Sequence, residues 1–277
     1  RRDYMDPDAP RRVRDYMDAP ENGNEFYYIN IGVPPMDDVR VRKALNMAID
    51  REALSHFRKT TTPLTGLVPK GIFRGYPNPE GPGLDPATAK RLLAEAGFRD
   101  ASGGFDPAQF PVSDVEINYN TSESNRQVAE FIQAQWKQNL GLTIALKNSE
   151  FRTFTVARVR REYKGVARSG WGGDYMDPFT FLDLFSTPTG NNGSGWTDPR
   201  YLELLRSANR EPDRQKRYEA LARAEAILLE AMPFVPLHTP ATNWMKKPYV
   251  KGMYANPLTM HAWKYVFIEH DRSKWDQ

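Results

Sequence analysis

The stretch 115–147 restricts the fold more than any other part of the chain. "VEINY" (115–119) alternates apolar and polar residues, as a strand buried on one face does. "SNRQ" (124–127) sets a serine three residues ahead of a glutamine, the capping-box spacing that opens a helix, and this helix is expected to run to about Asn139. Gly141 supplies its stop, and "LTIAL" (142–146) alternates again. Strand, helix and strand in this order predict a βαβ unit. The crossover is long enough for parallel pairing, and strand twist makes it right-handed. The chain therefore reads as α/β, a mixed sheet flanked by helices.

The flanking sequence extends that reading. "FYYINIGV" (26–33) is β-branched and aromatic and predicts a strand stopped by Pro34 and Pro35. Residues 37–54 predict one helix, capped by Asp37 or Asp38, with Val41, Ala44, Leu45 and Ala48 on its apolar face. Residues 60–84 are rich in Pro, Gly and Thr and predict a long irregular loop. The next helix has Asp85 as N-cap, Pro86 at its first position and Gly97 as its stop, with Ala89, Leu92, Leu93 and Ala96 facing inward. Helices are expected over 150–163, 199–209 and 213–231, the last ended by Pro233, and strands over 165–171, 234–239 and 262–269. Residues 1–24 are polar and repetitive: "DYMDPDAP" (3–10) is echoed by "DYMDAP" (15–20). They are expected to form a poorly ordered arm.

Composition narrows the function classes. The 38 basic and 35 acidic groups leave a net charge of +3, and the two signs are interspersed. "ARVRREYK" (157–164) is a local basic run rather than a stripe, so no nucleic-acid partner is expected. The chain has no cysteine, which excludes disulfides, thiolate catalysis and Cys-ligated metals. No run approaches the length of apolar residues that spans a membrane. HExxH, GxSxG, GxGxxG and P-loop patterns are absent. His56, His238, His261 and His270 show no ligand spacing, so no metal site, cofactor or catalytic residue is expected. The chain starts at Arg1 without a signal peptide and reads as a fragment.

The informative segment is Arg168-Ser-Gly-Trp-Gly-Gly-Asp-Tyr-Met-Asp-Pro178. Gly170, Gly172 and Gly173 let backbone approach a ligand closely. Trp171 and Tyr175 can wall a pocket. Asp174, six residues beyond Arg168, places both charges at one mouth. Such a mouth could grip a zwitterion through charge-assisted hydrogen bonds. Equally, Arg168 and Asp174 could pair with each other across a turn.

Several stretches, in order, resemble the extracellular solute-binding proteins of family 5, the oligopeptide- and dipeptide-binding components of ABC importers. They are "YYINIGVPPMDDVRVRKALNMAIDREAL" (27–54), "GLDPATAKRLLAEAGF" (83–98), "ARSGWGGDYMDPFTFLDLF" (167–185) and "GNNGSGWTDPRYLELL" (190–205). "YEALARAEAILLEAMPFVPLHT" (218–239) and "PYVKGMYANPLTMHAWKYV" (248–266) continue the likeness, which covers about residues 15 to 270. Each motif is moderately specific, and their collinearity is highly specific.

The resemblance implies a type II periplasmic-binding-protein-like fold. Members hold an extended peptide between two lobes by strand-like hydrogen bonds and close on it by hinge motion. It places the ligand's α-ammonium on Asp174 and its C-terminal carboxylate on Arg168, with Trp171, Gly170, Gly172, Gly173 and Tyr175 lining the channel. A second carboxylate-binding arginine falls cleanly on neither Arg158 nor Arg160, and Arg160 is taken. Members run to about twice this length. By the resemblance, 25–233 is the second lobe, and 234–277 returns to a first lobe largely missing here. It implies a short peptide ligand, ABC permease subunits as partners and a monomer at full length. The location implied is the periplasm or the extracellular face of the cytoplasmic membrane. The same scaffold can carry a nickel chelate, an opine or an oligosaccharide, although Asp174 favours a ligand with an amine.

Overall fold

A computed structural model describes residues 16–275. The βαβ unit is present. Strands β4 (Glu116–Asn120) and β5 (Ala145–Ser149) pair in parallel across helix α4 (Glu123–Leu140). The second strand starts three residues later than the alternation suggests. Gly141 ends α4 at φ +76°, the Leu142 N–H bonds back to the Trp136 carbonyl, and Leu142 and Ile144 drop into the core before pairing begins. The helix also starts earlier than the capping-box spacing implies. Ser122 is its N-cap, while Ser124 lies in the first turn and turns its hydroxyl to Arg58.

Around this unit the sheet is mixed. Strands β1 (Tyr16–Pro20), β2 (Gly23–Ile29), β3 (Thr61–Pro63), β6 (Val166–Gly172) and β7 (Phe234–Met245) join it. Its order is β1-β7-β2-β6-β4-β5, with β3 also on β7. The neighbours β4 and β6 run parallel, whereas β2 is antiparallel to both β6 and β7.

Three expectations change. Residues 16–24 are not an arm: β7 runs twelve residues, so its second half offers an edge on which Tyr16–Pro20 pairs antiparallel. Residues 1–15 of the expected arm lie outside the described residues. The single helix over 37–54 is two, α1 (Val39–Met47) and α2 (Arg51–Arg58), because Asp50 accepts from the Ala53 N–H and caps a new start. The strand expected over 262–269 shrinks to β9 (Phe267–Ile268) against β8 (Val250–Lys251), and Trp263, Tyr265 and Phe267 stay exposed.

Alternation along the central strands splits the core between the two faces of the sheet. Phe26, Tyr28, Ala167 and Phe234 pack with α7 (Pro199–Arg210), α8 (Arg214–Ala231) and the short α6 (Phe179–Leu182). Tyr27, Ile29, Val166 and Val235 face α1, α4 and α3 (Pro86–Glu95). Trp136, fully buried on α4, donates its indole N–H to the Leu45 carbonyl at 2.9 Å and ties α4 to α1. The long loop after β3 is held by one buried carboxylate. Glu225 of α8 accepts from the Leu67 and Val68 N–H groups at 2.7 and 2.9 Å and from the Tyr76 hydroxyl at 2.7 Å. Among the described residues no helix is long and apolar enough to cross a membrane.

Candidate functional site

The site grows from the junction of β2, β6 and β7. Register sets Tyr27 beside Arg168 and Glu25 beside both Gly170 and His238. Beyond the strand ends the chain opens into a cleft of about 740 Å³. Arg168, Gly170, Trp171, Gly172 and Gly173 line it, as do Arg58, Ser124 and Asn125.

The glycines serve close approach. A side chain at Gly170 would sit 2.7 Å from the Asn24 carbonyl, so β2 and β6 can meet there only without a Cβ. Gly172 has open space where a side chain would lie, so no side chain of its own covers this end of β6. The segment is pinned from β2's approach: the Gly173 N–H bonds the Asn22 carbonyl at 2.7 Å, and the Trp171 N–H bonds Asn24 Oδ1 at 3.1 Å. Thr180 then fixes the turn. Its hydroxyl accepts from the Trp171 indole at 3.2 Å and from the Asp174 N–H at 3.1 Å.

That turn carries Asp174 and Tyr175 out to solvent just past the cleft wall. The Asp174 carboxylate has neither an ion pair nor a side-chain hydrogen bond among the described residues, whereas Asp177 is paired with Arg217. Arg168 and Asp174 do not pair with each other. The Arg168 guanidinium is bonded to Glu25, whose second oxygen lies 2.7 Å from His238 Nε2. Burial pushes the Glu25 carboxyl up, but the His238 hydrogen bond and the Arg168 charge outweigh it and hold the group down to about 2. Glu25 is therefore an anion at any ordinary pH.

The structure keeps the upstream arginines out of the cleft. Helix α5 (Phe151–Arg160) ends at Arg160, which is exposed and lies 3.9 Å from Glu162. Arg158 stacks over the Tyr28 ring at 5.9 Å and donates to Ser169, on the sheet face opposite Arg168. Arg58, which also lines the cleft, donates to the Ser124 hydroxyl at 2.7 Å and has no carboxylate partner among the described residues. Sequence reasoning missed Glu25, His238 and Arg58. The one available signal was Glu25, a carboxylate opening an otherwise apolar strand. No cluster able to hold a metal ion occurs among the described residues.

The sequence profile of the bacterial extracellular solute-binding proteins, family 5, matches residues 4–193, more than half of the chain. The chain belongs to this family. The family 5 oligopeptide-binding protein OppA of Bacillus subtilis is 32% identical over 239 residues, which cover 84% of this chain and 43% of OppA. The murein tripeptide binding protein MppA of Escherichia coli superposes with a TM-score of 0.80 at 28% identity, covering 96% of this chain and 51% of that one. OppA of Haemophilus influenzae, solved in complex with the peptide RPPGFSPFR, superposes with a TM-score of 0.76 at 27% identity, covering 91% of this chain and 50% of that one. The chain thus spans about half the length of these family 5 relatives. The type II family 5 fold implied by the resemblance is the one observed.

Proposed function

We propose that this chain is part of the substrate-binding component of an ABC importer and captures short peptides for delivery to a membrane permease. One observation carries the reading: an unpaired carboxylate, Asp174, follows directly on the glycine-rich strand end that lines the cleft. A peptide needs both features. Its α-ammonium calls for a free anion, and its backbone calls for exposed strand groups that no side chain shields. Relatives named for binding oligopeptides, murein peptide and dipeptides support the cargo class. In this role Asp174 holds the amine, and Gly170, Trp171, Gly172, Gly173 and Tyr175 line the channel. Arg168 borders that channel, and Arg160 takes no part.

In the same reading 25–233 belongs to the second lobe together with the buried first half of β7 (Phe234, Val235 and Leu237), which corrects the expected boundary, and the exposed chain after it packs on a first lobe. Met245, Tyr254, Met260, Trp263 and Tyr265 are all more than 60% exposed, which suits a surface made to be covered. The site of action is the periplasm or the outer face of the cytoplasmic membrane, where several relatives named periplasmic work. The component binds and releases its cargo without turnover and is monomeric at full length.

Calorimetric titration with tri- to pentapeptides tests the reading, using this chain and a chain extended to the length of its relatives. Saturable one-to-one binding by the longer chain is expected. Its failure to bind any peptide, with binding of an opine or a nickel chelate instead, would overturn the cargo assignment.

A further inference from the structure

We propose that Glu25 is a specificity-determining residue: by occupying the Arg168 guanidinium, it makes the cleft take an uncharged or cationic ligand group at that point and reject a carboxylate. The inference rests on the peptide-capture reading and concerns which peptides are captured.

Glu25 is 18% exposed and Arg168 29% exposed, and both line the cleft. The pair is neutral in sum, and only one Arg168 nitrogen is engaged among the described residues: Nε has no partner, so the guanidinium can still donate to a neutral acceptor while its charge is matched by Glu25. His238, 1% exposed and also lining the cleft, places its Nε2 2.7 Å from the other Glu25 oxygen, a second contact that a swing of Glu25 would break. A ligand carboxylate brought to Arg168 would have to displace the half-buried Glu25 carboxylate or sit beside it as a like charge, and both are unfavourable. An amide, by contrast, meets no repulsion, and a cation meets Glu25. Arg58, elsewhere in the cleft lining, bonds the neutral Ser124 hydroxyl and has no such competitor among the described residues.

The test compares peptides of two to five residues, each as free acid and as C-terminal amide, on the wild-type protein and on Glu25→Gln. Glutamine keeps the shape and hydrogen-bonding capacity but leaves Arg168 uncompensated. The ratio of amide to acid Kd is expected to rise at least tenfold at one length in the variant. An unchanged ratio at every length, with the wild-type protein binding peptides, overturns this inference and leaves peptide capture standing. No peptide binding by the wild-type protein overturns both.

A measurement on the wild-type protein keeps the proposal exposed if the variant does not fold. In arginine ¹⁵N spectra, the Arg168 Nε–H resonance, assigned with Arg168→Lys, is expected at the same position with the acid and amide forms of each bound peptide. A resonance displaced by the acid alone, at any length, overturns the proposal.

Discussion

Glu225→Gln should remove a pH dependence that the buried carboxylate imposes on folding. Glu225 is fully buried on α8. Burial pushes its pKa up from 4.5 to about 7, against hydrogen bonds from Val68, Tyr76 and Leu67 that all favour the ionised form. Between those two values the folded state holds a proton that the unfolded state releases. The stability contributed is therefore fully present below about pH 4.5, falls as pH rises, and is gone above about pH 7. A rise of this size corresponds to about 3 kcal/mol. The glutamine does not titrate and keeps an oxygen for the two loop N–H groups. Urea unfolding of both proteins at pH 5, 6, 7 and 8 isolates the effect, because other titrating groups cancel in the difference. The variant should gain about 3 kcal/mol on the wild type from pH 5 to pH 8, whatever its offset at pH 5. A flat difference would show that the hydrogen bonds, not burial, set the charge of Glu225.

Other perturbations have equally definite outcomes. Glu25 titrates in the opposite sense: its pKa, held down to about 2, gives stability present above about pH 4.5 and lost as pH falls through 2. Glu25→Gln should therefore flatten the acid limb of the stability curve by about 3 kcal/mol, as read by unfolding at pH 5 and below. Gly165→Ala should destabilise by more than about 2 kcal/mol, because Gly165 has φ +69° and its Cβ would lie 2.7 Å from both the N and O of Glu116. A thermal melt unchanged by that substitution would contradict the close packing of β6 on β4. Trp136→Phe should cost about 2 kcal/mol by leaving the buried Leu45 carbonyl without its indole donor, again read from unfolding midpoints.

What the sequence revealed follows from what each element must bury. The βαβ unit was legible because β4 and α4 show their periods and Gly141 marks the turn. α3 was legible from its cap, Asp85, and α8 from its stop at Pro233, whereas Asp198 and Asp213, which accept from first-turn N–H groups of α7 and α8, went unread. The second half of β7 was hidden, because "TPATNWM" carries Pro240 and polar residues and pairs with β1, which lies at the edge of the sheet. An edge demands little apolar alternation, and β1 itself reads as polar linker. The break at Asp50 was hidden because Ala48 and Leu54 continue the helical stripe across it.

The candidate site divides the same way. The Arg168–Gly173 wall and the Asp174 that follows it are one contiguous segment and could be read directly. Glu25 and His238 reach Arg168 only through strand pairing, and Arg58 reaches the cleft only through the end of α2. Those three residues line the cleft together with Arg168 and Glu21, and topology rather than any motif brings them there.

The central claim is that Asp174 holds the amine of a bound peptide, and binding of one peptide in free-amino and N-acetylated forms tests it most directly. Asp174→Ala should weaken the free-amino form by about 10- to 100-fold, the worth of a hydrogen bond between charged groups, and leave the acetylated form nearly unchanged. Equal loss for both forms, or no loss for either, would contradict the account.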